Sequence, residues 1–133
     1  LMMRLETDLF EIIDSAIKNE LNNIKIKWSE KNSVTIVLCA KGYPSTYIKN
    51  SEIKNLTTIQ TDKDNQIFHS GTYEKNNKIY SNGGRVLNIV SLSETLTEAR
   101  NKSLFNINKL NWVDGFFRKD IGWKAIRKKK LCE

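Results

Sequence analysis

Apolar residues recur at helical spacing near the start of the chain, and a two-residue period takes over further on. Leu5, Leu9, Ile12, Ile13, Ala16 and Ile17 fall on one face of a helix predicted over residues 6 to 20, with Asp8 and Glu11 near its positive N-terminal end. Ile24, Ile26 and Trp28 alternate with Lys25 and Lys27, which predicts a half-exposed strand. Residues 33 to 40 predict a more buried strand, ended by Gly42-Tyr43-Pro44, where the proline should hold Tyr43 extended. Residues 45 to 66 are polar, with Ile48, Ile53, Leu56 and Ile59 as isolated anchors, and predict a loop with short pieces of structure. Strands follow at about 66 to 73, 77 to 81 and 85 to 92, with Asn76-Asn77 as a turn. Thr95 and Glu98 form a capping box opening a helix whose buried face is Leu96, Ala99, Leu104, Ile107 and Leu110. Trp112, Phe116 and Phe117 should pack back on the sheet. The sum is an α+β domain, an antiparallel β-sheet with helices packed on one face.

The 133 residues suffice for one compact domain with a core of its own. No apolar run approaches the ~20 residues of a membrane-spanning helix, and acids follow the Leu1-Met2-Met3 start too soon for a signal peptide. A start without methionine points to a piece of something longer. The net charge of +7 raises nucleic acid as a partner. The cations are mostly lysines spread along the chain, however, and the one dense run, Arg127-Lys128-Lys129-Lys130, is expected at a frayed terminus. A stand-alone basic module for RNA or another polyanion would interleave cations with exposed aromatics. Trp28, Trp112, Phe116 and Phe117 occupy positions that look core-facing, which weighs against that alternative. Cys39 and Cys132 lack zinc-ligand spacing, and with a single histidine no metal site is expected. Cys39 reads as a small buried apolar residue, and reduced thiols favour a cytoplasmic location.

Candidate chemistry centres on Asn82-Gly83-Gly84-Arg85. Two glycines allow positive φ and close approach of backbone N–H groups to an anion, with Arg85 as a fork-shaped partner for a phosphate. Equally open is a simple bulge whose arginine pairs with a carboxylate. Gly42, Tyr43 and Pro44 would either wall a nucleotide or form a tight turn whose tyrosine fills the core. His69 would donate to a phosphate, act as an acid–base group, or serve as a hydrogen-bonded structural histidine. Arg118 and Asp120 are expected to pair and hold the Asp120-Ile121-Gly122 turn, while Glu98 and Arg100 belong to the cap and a solvated helix face. No residue is assigned a catalytic role.

Five blocks in order carry a resemblance: Gly42-Tyr43-Pro44, Phe68-His69-Ser70-Gly71-Thr72, Asn82-Gly83-Gly84-Arg85-Val86-Leu87, Thr95-Leu96-Thr97-Glu98-Ala99-Arg100, and Arg118-Lys119-Asp120-Ile121-Gly122. Together they resemble the C-terminal domain of the phosphoribosylamine–glycine ligase (glycinamide ribonucleotide synthetase) family, over nearly the whole chain. Ser70 and Ser45 depart from that pattern, where alanine and glycine respectively are usual. The resemblance implies that residues 1 to 30 are the end of an ATP-grasp region, with its last helix and a connecting strand, and that 31 to 133 form the C-terminal domain. It further implies a parent enzyme that joins glycine to 5-phosphoribosylamine through an acyl phosphate in purine biosynthesis. ATP and Mg2+ would be bound by the upstream domains, and the fragment alone would be inactive. Gly83, Gly84, Arg85, Gly42, Tyr43, Pro44 and His69 would then serve substrate binding and closure of the active site.

Overall fold

The computed structural model describes residues 1–130, so Cys132 lies outside the described residues. The strands are β1 (Asn32–Ala40), β2 (Glu52–Ile53), β3 (Asn65–His69), β4 (Thr72–Lys75), β5 (Lys78–Ser81), β6 (Arg85–Ser93) and β7 (Gly115–Phe116); the α-helices are α1 (Leu9–Ile17), α2 (Leu96–Ile107) and α3 (Trp123–Lys130). The fold is α+β with antiparallel pairing throughout, but it has two sheets where one was expected. Four strands run in the order β3-β6-β1-β7 and three in the order β2-β5-β4. The strand predicted over 66 to 73 breaks into β3 and β4 because Ser70 and Gly71 both donate their N–H groups to the Val86 carbonyl, at 3.0 and 3.2 Å. That shared acceptor ends the β3–β6 ladder, and the chain crosses to the smaller sheet.

Alternation on β1 settles where the core lies. Val34, Ile36, Leu38 and Ala40 are all buried, while Thr35, Val37 and Cys39 face the other way and are exposed or half-buried. Opposite them on β6, Leu87 and Ile89 share the buried face, and α2 packs there through Ala99 and Ile107. Ile53 and Ile79 of the small sheet and Trp112 join the same cluster. The face predicted for α2 is therefore found, widened by buried Ser103 and Asn106. The Asn76-Asn77 turn is also found: φ values of 52° and 57° give the left-handed pair that a two-residue hairpin between β4 and β5 demands.

The capping box forms as expected, with Glu98 N–H donating to Thr95 Oγ1 at 3.2 Å and Thr95 N–H donating to the Glu98 carboxylate at 3.3 Å. Ser93 also donates to that carboxylate, at 3.0 Å, and with the Thr95 N–H holds its pKa below the ordinary glutamate value. Thr95→Ala should cost about 1 kcal/mol in urea unfolding. Because the folded carboxyl is depressed, its contribution is present above the unfolded pKa and lost as pH falls through the folded one, so stability should drop below the ordinary glutamate range. A Glu98→Gln chain should lack that part of the acid dependence.

The first thirty residues differ most from expectation. α1 is shorter than predicted, opened by Asp8, whose carboxylate accepts the Phe10 N–H at 2.8 Å, and ended near Asn19 at φ 59°. No residue of α1 is buried, and Phe10 and Ile17 are 74% and 76% exposed. The strand predicted at 24 to 28 does not form. Lys25 and Lys27 supply the alternation, but no neighbouring strand meets this segment beyond a single Leu5–Trp28 bridge, and Trp28 is 44% exposed. The segment is tied back by Arg4, which donates to the Ser29 carbonyl at 2.8 and 3.0 Å, and by the Lys31–Asp64 ion pair at 2.8 Å. At the other end, the backbone continues as α3 to Lys130, where a frayed terminus was expected. Among the described residues no helix is long and apolar enough to cross a membrane.

Candidate functional site

A register shift aims Arg85. Leu38 pairs with Leu87, but the next residue, Cys39, pairs with Arg85, so Val86 is the extra residue of a bulge. Val86 and Leu87 are both fully buried, and Arg85 is exposed on the side of Cys39. Cys39 in turn pairs with Phe116, giving a cross-strand row of Arg85, Cys39 and Phe116 on the sheet face away from α2. Burial pushes the Cys39 thiol above its ordinary pKa, and the Arg85 charge acts in the opposite direction, consistent with that proximity. Cys39, expected to be a small buried apolar residue, is instead half-buried and lines a groove.

Tyr43 and Pro44 form a wall of the same groove. Gly42 has φ +100°, and its Cβ position is blocked by the Thr46 carbonyl oxygen. Lys41 to Pro44 form a turn, with the Tyr43 N–H donating to the Ala40 carbonyl at 3.0 Å. The Tyr43 ring fills the space that a side chain on Gly84 would need. It is half-buried over that glycine and does not belong to the core cluster.

Gly83 and Gly84 do not adopt the positive φ anticipated for them. Close approach accounts for at least the Gly71 and Gly84 positions: a Cβ on Gly71 would lie 2.9 Å from Gly83 Cα and 2.8 Å from the Arg85 carbonyl oxygen. The Gly84 carbonyl accepts from Ala40 N–H at 2.8 Å, whereas the N–H groups of Gly83 and Gly84 have no hydrogen-bond partner among the described residues. Nor does any carboxylate pair with the Arg85 guanidinium there. Two free N–H groups beside an unpaired fork-shaped cation make a set of donors suited to an anion with several oxygens.

Of the remaining sequence candidates, His69 lies apart from this group and Arg118 lies in the groove beside it. His69 pairs with Leu87, on the α2 side of the sheet, and its Nδ1 is 2.8 Å from Thr72 Oγ1. Arg118 pairs with Asp120 at 2.7 and 3.0 Å as expected, and also lines the Tyr43 groove. Both members are exposed, so the pair adds little stability. Arg100 does not belong to a solvated face: it donates to the Lys119 and Ile121 carbonyls and clamps the turn that Arg118 enters. Phe116 and Trp28, expected inside, are 41% and 44% exposed, whereas Trp112 is buried and donates to Ser51 Oγ at 3.2 Å. Among the described residues no three His, Cys, Asp or Glu side chains converge on a point that would hold a metal ion.

Comparison with known proteins follows the same outline. The family model described as "Phosphoribosylglycinamide synthetase, C domain" matches residues 33–124. Phosphoribosylamine–glycine ligase of Brucella melitensis is 35% identical over 130 residues, covering 98% of this chain and 30% of the relative. The chloroplastic ligase of Arabidopsis thaliana is 38% identical over 134 residues, covering 99% of this chain and 25% of its own length. The crystal structure of the Thermotoga maritima ligase superposes with a TM-score of 0.62 at 30% identity, covering 83% of this chain and 27% of that one. The chain thus spans about a quarter to a third of the length of these relatives, and it belongs to the phosphoribosylglycinamide synthetase C-domain family.

Proposed function

We propose that this chain is the C-terminal part of an ATP-dependent ligase joining glycine to 5-phosphoribosylamine in cytoplasmic purine biosynthesis. In this reading Gly83, Gly84 and Arg85 hold the phosphate of the phosphoribosyl substrate. The observation that carries it is the Arg85 guanidinium, aimed by the Val86 bulge, with no carboxylate partner among the described residues and, beside it, two N–H groups without a partner among them. Tyr43 and Pro44 wall the site, Gly42 sets their turn, and His69 shapes the β3–β4 corner through Thr72. ATP and Mg2+ belong to the upstream region; the described residues do not fit a magnesium site, and no step runs through that ion here. Residues 1 to 30, with the bare apolar stripe of α1, are the end of that ATP-grasp region, and 31 to 133 are the C-terminal domain.

The test is ADP release by the full-length ligase. Release that needs both glycine and phosphoribosylamine supports the assignment. A folded, ATP-binding enzyme that releases no ADP with the pair would overturn it. The polyanion-module reading gains one observation, since lysines lie over the rings of Tyr47, Phe105 and Trp123 at 5.6, 4.5 and 5.7 Å. These three pairs sit on separate elements, the post-β1 loop, α2 and α3, and form no single stacking platform.

A further inference from the structure

We propose that Asp114 is a positioning residue for the anion-binding corner, holding both ends of the Asn82–Gly84 segment that presents Arg85. The proposal rests on reading Gly83, Gly84 and Arg85 as the phosphate site. At the near end, Ser81 is fully buried and is the last residue of β5. Its N–H donates to the Ser51 carbonyl at 2.9 Å, and its Oγ accepts the Ser51 N–H at 3.2 Å. Ser51 Oγ in turn accepts the Trp112 Nε1–H at 3.2 Å. An indole N–H can only donate, so the single hydroxyl proton of Ser51 is left for Asp114, whose Oδ2 accepts it at 2.7 Å. At the far end, the Asp114 carbonyl accepts the Lys41 N–H at 2.7 Å, and the neighbouring Ala40 N–H donates to the Gly84 carbonyl at 2.8 Å.

One residue thus ties the entry and the exit of the corner, by its side chain and by its backbone. The corner is where the chain leaves the small sheet at β5 and enters the large one at β6. Ser51 immediately precedes β2 of the small sheet, and Asp114 immediately precedes β7 of the large one. The Ser51–Asp114 bond therefore spans the same junction, and it sets how the two sheets meet beside the glycines. A hydroxyl-to-carboxylate bond is of the short, strong kind. Asp114 is itself held in place, because a Cβ on the next residue, Gly115, would run into the Trp112 ring. Two N–H groups and a guanidinium bind one anion together only while their spacing is kept, so a small displacement at this junction is felt as lost affinity.

Steady-state kinetics of the full-length ligase test this, with Asp114→Ala, Ser51→Ala and Asp114→Asn each made alone and together with Arg85→Ala. Asp114→Ala should raise the phosphoribosylamine KM roughly tenfold, with kcat and the KM for ATP and glycine held within about twofold. Ser51→Ala removes the same side-chain bond and should shift the same constant. Asp114→Asn keeps an acceptor for the Ser51 hydroxyl and should recover most of the loss. In the Arg85→Ala background, Asp114→Ala should add less than about threefold, because the group it places is gone. Effects that multiply fully, or that fall equally on all three substrates, would overturn the proposal. Should Asp114→Ala fail to fold, Ser51→Ala decides, and an unchanged phosphoribosylamine KM there overturns it as well. If Arg85→Ala raises that KM while the folded Asp114 and Ser51 variants do not, the phosphate site stands and only the positioning role is lost. If Arg85→Ala itself changes nothing, the phosphate site is elsewhere and the positioning role falls with it.

Discussion

Arg85→Ala is expected to raise the phosphoribosylamine KM of the full-length ligase by roughly 10- to 100-fold, the range that follows from 1.5–3 kcal/mol for hydrogen bonds to a charged group. In this isolated domain the guanidinium is exposed, and water would screen an ion pair there to well under that range. The larger figure applies when the site is closed and Arg85 is desolvated. A measured effect near the top of the range therefore also reports closure. Arg85→Lys should recover part of the loss, because a point charge replaces a fork that can make two parallel bonds. If KM for phosphoribosylamine is unchanged in a folded Arg85→Ala enzyme, the phosphate lies elsewhere and the unpaired arginine is a surface residue.

Gly42→Ala is expected to destabilise the domain by about 3 kcal/mol or more. Two costs add at this position. The backbone sits at φ +100°, where an L side chain is strained, and the new methyl would run into the Thr46 carbonyl. That oxygen belongs to backbone and cannot swing aside as a side chain would. With typical m-values, the urea midpoint should fall by roughly 1–3 M. The turn also seats Tyr43 over Gly84, so the same change should loosen the Gly84–Arg85 corner and weaken binding of the phosphoribosyl substrate. A variant of unaltered midpoint would show that the turn relaxes freely and that Gly42 is not needed to place Tyr43.

What could be read from the sequence was local. The Thr95–Glu98 cap, the Asn76-Asn77 hairpin, and the long apolar strands β1 and β6 each depend on residues a few positions apart, and each is found. Long-range relations were not legible. Nothing near Ser70 announces that Val86 will accept two N–H groups and divide one predicted strand between two sheets. The Val86 bulge, which decides the face of Arg85, depends on the register of a strand many residues earlier. Arg100 looked solvated because its carbonyl partners lie 19 and 21 positions away. Trp28 and Phe116 were placed inside because apolar residues usually go there, but each meets solvent in this domain. For the site, the glycine pair and Arg85 were visible as a motif. Their reason was not: close backbone contact and the Tyr43 ring, with φ left in the ordinary range.

The antiparallel match of β1 with β6 also has a kinetic side. Asn32 and Glu94, joined by a hydrogen bond at one end of that ladder, are 62 positions apart. Chain entropy must be lost to bring such distant segments together before any of their contacts can return it. The β4–β5 hairpin faces no such delay, since two residues separate its strands. Arg85 is aimed only where the long ladder and its bulge are complete. By this argument the Gly84–Arg85 corner is expected to be completed after the hairpin beside it.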